Sequence, residues 1–292
     1  MILVFGSINI DLLVPVAALP RPGETVLGGD YRLLPGGKGA NQALAARRAG
    51  SAVTMAGAVG KDAFADAALE WLRRDGVDLT LLRQVERSTG LASIMVAADG
   101  ENLIAVASGA NAAVTAEIVP DNRLGPETML LCQMEVPLAE TAALIRRARA
   151  HGTPSILNLA PALPIDRDLF RDLDLLVANQ AEAATLGEDA AAISRCLRQA
   201  FVVTRGAAGS TAFLADGERL DIPALAVGAV DTTGAGDTFV GVLAAGLDQG
   251  LALDFALWRA SAAAGLACLA HGAQTAMPDA AAIDAAVKRL PQ

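Results

Sequence analysis

The sequence predicts an α/β fold in which helices cover a mostly parallel sheet, with a small separate sheet beside it. Three observations carry this. Apolar residues make up 53% of the 292 residues but aromatics only 3%, so the core must be built from Ala, Val, Leu and Ile, as in helix-covered parallel sheets. From residue 129 onward, short apolar runs alternate regularly with helical patterns. Earlier, an Asp99-Gly100 pair between two alternating runs marks a hairpin that breaks the rhythm. The length allows one large domain or two smaller ones.

Taken in order, residues 2–8 form a short apolar first strand, after which Asn9 and Asp11 alternate around Ile10 on one face at the strand's end. Leu19 to Val26 is a Pro/Gly turn leading into an edge strand. Leu34 to Gln42 is a glycine-rich loop, followed by a helix from Ala43 to Ala49 that ends at Gly50. Residues 52–59 read as a strand and 63–75 as a helix closed by Gly76. The hairpin joins 90–97 to 102–107, and with 12–34 it could form a small sheet placed as a lid. Strands follow at 129–135, 155–158, 175–179 and 201–206, with a helix at 138–150 and a second hairpin around Asp216-Gly217. An Ala-rich helix at 254–270 and a last helix at 279–290 complete the chain.

The four apolar strands after residue 129 end in Glu135, Asn158, Asn179 and Thr204. With Asn9 they make a series, and ligands of open parallel sheets bind outside the carboxyl ends of the strands. The strongest chemical signal is Asp231-Thr232-Thr233-Gly234-Ala235-Gly236-Asp237-Thr238-Phe239, a tight glycine loop that opens a buried helix. Unpaired N–H groups and partial positive charge at a helix start make an anion site. A carboxylate such as Asp237 beside that site is either a helix-start charge or the base of a phosphoryl transfer. The Gly37-Lys38 loop is not a Walker A loop, because it lacks the spaced glycine and the following Ser or Thr.

A net charge of −9 argues against nucleic acid or an anionic membrane as the main partner. Only Lys38, Lys61 and Lys288 are lysines, and one of them lies in a glycine loop. Cys132, Cys196 and Cys268 are odd in number and far apart, which indicates neither disulfides nor zinc and fits a reducing cytoplasm. The first residues read as a strand rather than a signal peptide, and no run of 18 apolar residues predicts a membrane span.

Together these motifs resemble the ribokinase-like sugar kinases, the PfkB family. The segments that carry the resemblance are 6–11, 22–26, 36–43 and 231–239, with smaller matches at 88–90, 109–112, 179–182 and 272–274. They cover nearly the whole chain, and their order and spacing make them specific. Lys38 in the first glycine loop points to the ribose kinases of the family over its fructose kinases. The resemblance implies one doubly wound α/β kinase domain over 1–292, with a β-sheet lid from about 12–34 and 90–107 inserted in it. It implies transfer of a phosphoryl group from ATP to the terminal hydroxyl of D-ribose; other furanoses, such as deoxyribose, a nucleoside or a fructose-type sugar, are the alternative.

By the same resemblance Asn9, Asp11, Gly37, Lys38, Asn41 and Glu135 would hold the sugar. Asp237 would be the base, with the N–H groups of Gly234, Ala235 and Gly236 as the anion hole. Asn179 and Glu182 would act at the ATP phosphates and Mg²⁺. The run Thr204, Arg205, Gly206, Ala207, Ala208, Gly209 would line the nucleotide, together with Gly236 and Ser261. A K⁺ site would use Asp231, Thr233, Ala267, Ala270, Gly272 and Ala276. Ala276 departs from the pattern, which commonly has a Ser there; a water can take that place. His151 and His271 are not placed for catalysis. A sugar sensor would be expected to lose the base or the anion hole, and both are intact. No G-x-G-x-x-G follows the first strand, which argues against a dinucleotide-dependent oxidoreductase. The alternating apolar hairpin would leave exposed edges, so a homodimer through the lids is expected.

Overall fold

The computed structural model describes residues 1–290. In chain order the elements begin β1 (Ile2–Phe5), β2 (Asn9–Pro15), β3 (Arg32–Gly36), α1 (Lys38–Arg48), β4 (Val53–Gly60), α2 (Ala63–Arg74), β5 (Leu82–Val85), β6 (Gly90–Val96), β7 (Asn102–Ala107), β8 (Met129–Cys132), α3 (Leu138–Ala150) and β9 (Ser155–Asn158). They continue with β10 (Leu175–Asn179), α4 (Gln180–Thr185), α5 (Ala190–Ser194), β11 (Ala200–Thr204), β12 (Ser210–Leu214), β13 (Arg219–Ile222), α6 (Ala235–Asp248), α7 (Leu253–Ala267), α8 (Ala273–Ala276) and α9 (Ala280–Val287).

Nine strands form one sheet in the order β13-β12-β11-β10-β9-β8-β1-β4-β5. Pairing is parallel from β11 through to β5, and antiparallel only at β11-β12 and β12-β13. The chain starts at β1 and winds outward first through β4 and β5, then back past β1 to β8 and beyond. That is a doubly wound sheet whose order reverses between β1 and β8, the place where such folds open a crevice. The inner strands β1, β4, β8 and β9 are buried along their whole length, as a sheet covered on both faces requires. One apolar cluster packs α1, α2, α6 and α7 on one face, and a second packs α3 and its neighbours on the other. No helix among the described residues is long and apolar enough to cross a membrane.

A separate four-stranded sheet has the order β3-β2-β6-β7. β2 and β6 are parallel; β2-β3 and β6-β7 are antiparallel. The chain passes between the two sheets at residues 6–8, 37, 86–89 and 108, so the small sheet hangs on four crossings. The side chain of Asn111 stitches one of them: it accepts from the Ile8 N–H (2.9 Å) and donates to Asn9 Oδ1 (2.7 Å).

Three expectations change. Asn9 and Asp11 do not end the first strand; they open β2 in the small sheet, because Gly6 and Ser7 break the ladder after Phe5. The turn at 19–26 is followed by an edge strand only after a loop through Tyr31: β3, at the edge of the small sheet and paired with β2. The first long helix begins at Lys38, five residues before Ala43, and β3 runs to Gly36, so only Gly37 remains of the glycine loop. Gly37 has φ 89, and a Cβ there would lie 2.7 Å from the Asn9 nitrogen. Gly39, inside the helix, lets α1 press on the β1–β2 crossing, where a Cβ would lie 2.6 Å from the Ser7 nitrogen.

Candidate active site

The carboxyl ends of β9, β10 and β11 and the start of α6 surround a cleft. Lys38, Asn158, Asn179, Glu182, Thr204 and Asp237 are among the residues that line it, with Gly234 and Gly236. Of the strand-end series, Asn158, Asn179 and Thr204 converge here; Asn9 opens β2 and Glu135 lies three residues beyond the end of β8, and neither lines this cleft.

Asp237 stands in the first turn of α6 and is 8% exposed. Its two oxygens are held separately: Asn41 donates to Oδ2 at 2.9 Å and Gln42 donates to Oδ1 at 3.0 Å. Gly234 caps the helix with φ 74, a conformation glycine adopts at no steric cost, and a Cβ there would lie 2.6 Å from the Ala273 side chain. The Gly236 N–H donates to none of the described residues, and a Cβ on Gly236 would meet nothing within 4 Å. The Ala235 N–H donates to the Thr232 carbonyl at 3.2 Å, so among the three loop N–H groups it is not free for an anion. Thr232 closes that turn onto the loop, a contact the motif does not reveal.

Asp11, Lys38 and Glu135 gather near Asp237. Asp11 lies directly over Gly36, where a Cβ would come within 2.5 Å of its carboxylate. Burial, Glu135 and Asp237 push the Asp11 carboxyl up to about 7, against Lys38. Asp237 raises the Lys38 ammonium above its ordinary value, against burial, with help from Glu135, Glu182 and Asp11. Glu135 is fixed through Oε2, which accepts from Ser7 Oγ at 2.5 Å and from the Lys38 N–H at 3.0 Å. Asn9 is fixed by Asn111. One lysine and several carboxylates and amides make a surface that both donates to and accepts from a polyol.

The pfkB family carbohydrate kinase model matches residues 1–280. The chain belongs to the pfkB family of carbohydrate kinases. The ribokinase of Schizosaccharomyces pombe is 35% identical, with 97% of this chain and 96% of that one covered. The solved ribokinase of Thermotoga maritima superposes with a TM-score of 0.92 at 31% identity, covering 99% of each chain. The ribokinase of Arabidopsis thaliana, solved with ribose and ATP, superposes with a TM-score of 0.88 at 30% identity, covering 98% of each. This chain is therefore an ATP-dependent sugar kinase, a transferase acting on an alcohol group.

Within this carbohydrate kinase, the remaining candidates fall as follows. Asn179 and Glu182 cap α4 reciprocally: the Asn179 N–H donates to Glu182 Oε2 and the Glu182 N–H to Asn179 Oδ1, each at 2.8 Å. That capping box is a structural reason for the pair, and both residues still line the cleft. Thr204 lines it too, while Gly206, Ala207 and Ala208 form an exposed turn beyond β11, closed by Arg205 and Gly209. Ser261 is placed differently from expectation. It is buried in α7, gives its hydroxyl to the Pro223 carbonyl at 2.5 Å, and does not line the cleft.

At the expected cation position, Asp231 Oδ1 accepts from the Thr233 N–H (2.9 Å) and hydroxyl (2.6 Å), and Oδ2 accepts from the Gly272 N–H (2.9 Å). Burial acts to raise its carboxyl, but these hydrogen bonds outweigh it and hold the group below the usual range. The carbonyls of Ala267 and Ala270 receive no hydrogen bond from the described residues, and Gly272 is buried with φ 87. Ionised carboxylate and unpaired carbonyls are the oxygen donors a hard cation takes, so the residues fit. Among the described residues no three His, Cys, Asp or Glu side chains gather to cage a metal. His271 Nδ1 lies 3.8 Å from Asp231 and is mostly exposed; His151 lies 3.8 Å from Asp121.

Four residues position the site without a role that the motifs assign them: Ser7, Asn111 and Gln274 stand inside the segments 6–11, 109–112 and 272–274, and Gln133 stands outside all of them. Ser7, Asn111, Gln133 and Gln274 are buried polar groups whose hydrogen bonds reach Glu135, Asn9, Gln42 and Asn41. For Gln133 the only local sign is a polar residue directly after the apolar strand β8.

Proposed function

We propose that this kinase transfers the γ-phosphoryl group of ATP to the terminal hydroxyl of D-ribose, giving ribose 5-phosphate and ADP. The observation that carries this reading is the position of Asp237. It lines the cleft at the carboxyl ends of β9 to β11 and is the leading charge acting on Lys38, with Asp11 nearby, so it stands where a sugar hydroxyl and a phosphoryl group would meet. The Arabidopsis relative solved with ribose and ATP supports both substrates.

In this reading Asn9, Asp11, Gly37, Lys38, Asn41 and Glu135 hold the sugar. The hydroxyl oxygen attacks the γ-phosphorus, the bond to ADP breaks, and Asp237 takes the hydroxyl proton. The free N–H groups of Gly234 and Gly236, at the positive end of α6, stabilise charge on the transferred group. Thr204 to Gly209 border the nucleotide. Mg²⁺, bound with the nucleotide, supplies charge neutralisation at the phosphates; Asn179 and Glu182 would hold it from the cleft wall, mainly through water. K⁺ at Asp231, Thr233, Ala267, Ala270, Gly272 and the Ala276 position would stiffen the loop that carries Gly234. The small sheet serves as the lid over the sugar within one kinase unit. Its strand β7 is exposed along its whole length, with Leu103 47%, Ile104 53% and Val106 59% exposed, which supports pairing of two lids in a homodimer. Unpaired, well-separated cysteines support a reducing cytoplasm.

The test is Asp237→Asn. Ribose-dependent ADP release should fall roughly 10²- to 10⁴-fold in kcat, the range for a lost general base, with far smaller changes in sugar and ATP affinity. Near-normal turnover would reduce Asp237 to a helix-start charge and overturn the mechanism.

A further inference from the structure

Gln42 makes three hydrogen bonds with its amide while fully buried in α1. Its Oε1 accepts from Gln133 Nε2 at 2.7 Å; its Nε2 donates to Asn158 Oδ1 at 2.9 Å and to Asp237 Oδ1 at 3.0 Å. An amide can be turned end for end, so its polarity must be set from outside. Here a backbone carbonyl sets it. Asn158 Nδ2 donates to the Val177 carbonyl at 3.1 Å, and a carbonyl can only accept. Asn158 must therefore turn its oxygen toward Gln42. Gln42 must answer with its NH₂ group, and the second hydrogen of that group is left for Asp237.

We infer that Gln42 is a positioning residue for the reaction: β10, through Asn158, fixes the Gln42 amide so that it always presents a donor to Asp237 Oδ1. The inference rests on Asp237 being the base. With Gln42 on Oδ1 and Asn41 on Oδ2, the carboxylate cannot rotate about its own bond without breaking a hydrogen bond. A base held in this way keeps one orientation toward the attacking hydroxyl, which is where rate is gained by geometry. Gln42 itself is fully buried and does not line the cleft, so its effect should fall on turnover rather than on binding.

The test uses two variants, alone and combined with Asp237→Asn. Gln42→Met keeps the length and removes the donor; kcat should fall roughly 10- to 100-fold, the range of a hydrogen bond to a charged group, with KM for ribose and ATP nearly unchanged. Gln42→Glu keeps the acceptor for Gln133 and the shape of the side chain, so it covers the case in which Met does not fold. When protonated it donates to Asp237, and when ionised it repels it. Its kcat relative to the parent should therefore decline as pH rises from about 6 to about 9, a trend that a packing role would not produce. In an Asp237→Asn background, Gln42→Met should change the residual rate less than about 2-fold, because the two act as a unit. Gln42→Met with parental kcat, a pH-independent Gln42→Glu deficit, or a full extra loss on top of Asp237→Asn would each overturn the proposal. If Asp237→Asn alone turns over normally, the base assignment fails first. If it is impaired while Gln42→Met and Gln42→Glu behave like the parent, only the positioning role fails.

Discussion

At Asp11, burial and two neighbouring carboxylates act in one direction and Lys38 in the other, leaving a carboxyl that titrates at about 7 instead of 3.8. The folded chain holds this proton at pH values where the unfolded chain has lost it. Between 3.8 and about 7 the native state therefore binds more protons than the unfolded state, and stability falls as pH rises through that window. Above about 7 the penalty is fully present. Asp11→Asn removes the ionising group, so the variant should melt at a higher temperature than the parent at pH 8, and the gap should close toward pH 5. Thermal unfolding followed by fluorescence at the two pH values checks this; a gap that does not change with pH would contradict it. Such stability would come at the expense of sugar binding, as is common where a site gathers like charges. Asp11, Lys38 and Asp237 were legible because each stands inside a glycine motif. The residues that orient them were not: Gln42 meets Asp237 across 195 positions, and Gln274 meets Asn41 across 233, so no local pattern announces either pair.

Among the elements, glycine punctuation was the most legible feature. Asp99-Gly100 and Asp216-Gly217 do mark the β6–β7 and β12–β13 hairpins, and Gly76 does close α2 with φ 74. Helix α3 spans 138–150, as its periodicity predicts. The beginning of α1 was hidden because Gly39 and Asn41 are weak helix formers, and only packing against the β1–β2 crossing makes them helical. Strand β5, Leu82-Arg83-Gln84-Val85, was missed because an edge strand with two polar side chains has no apolar run to show. The loop before α6 and the short α8 meet at Asp231 and Gly272, and Gln274 of α8 reaches Asn41 and through it Asp237. A cation ordering that junction should act on turnover. K⁺ is expected to raise kcat, with Na⁺ a poorer substitute, even though Ala276 offers no hydroxyl. Initial rates against KCl at constant ionic strength, balanced by a bulky organic cation, check this; equal rates with and without K⁺ would refute it.

For the whole molecule, the doubly wound order gathers residues from both ends of the chain at one cleft, where Lys38 and Asp237 meet the carboxyl ends of β9 to β11. The parallel sheet was legible from the strand rhythm, and so was a small sheet joining 12–34 to 90–107; that β2 and β6 pair there in parallel across about 80 residues was not, because nothing local specifies a parallel partner so distant. The exposed apolar strand β7 leads to a prediction at this scale: sedimentation at micromolar concentration should show a dimer, and Ile104→Lys should give monomers with weaker sugar binding. A fully active monomer of the parent would contradict it. The central claim is that this site phosphorylates ribose. It is tested most directly by initial rates of ATP-dependent ADP release with D-ribose, deoxyribose, fructose and nucleosides offered separately under identical conditions. The account predicts the highest kcat/KM for D-ribose, with the phosphate on the terminal hydroxyl of the product; a clear preference for a nucleoside or for fructose, or no ADP release with ribose, would contradict it.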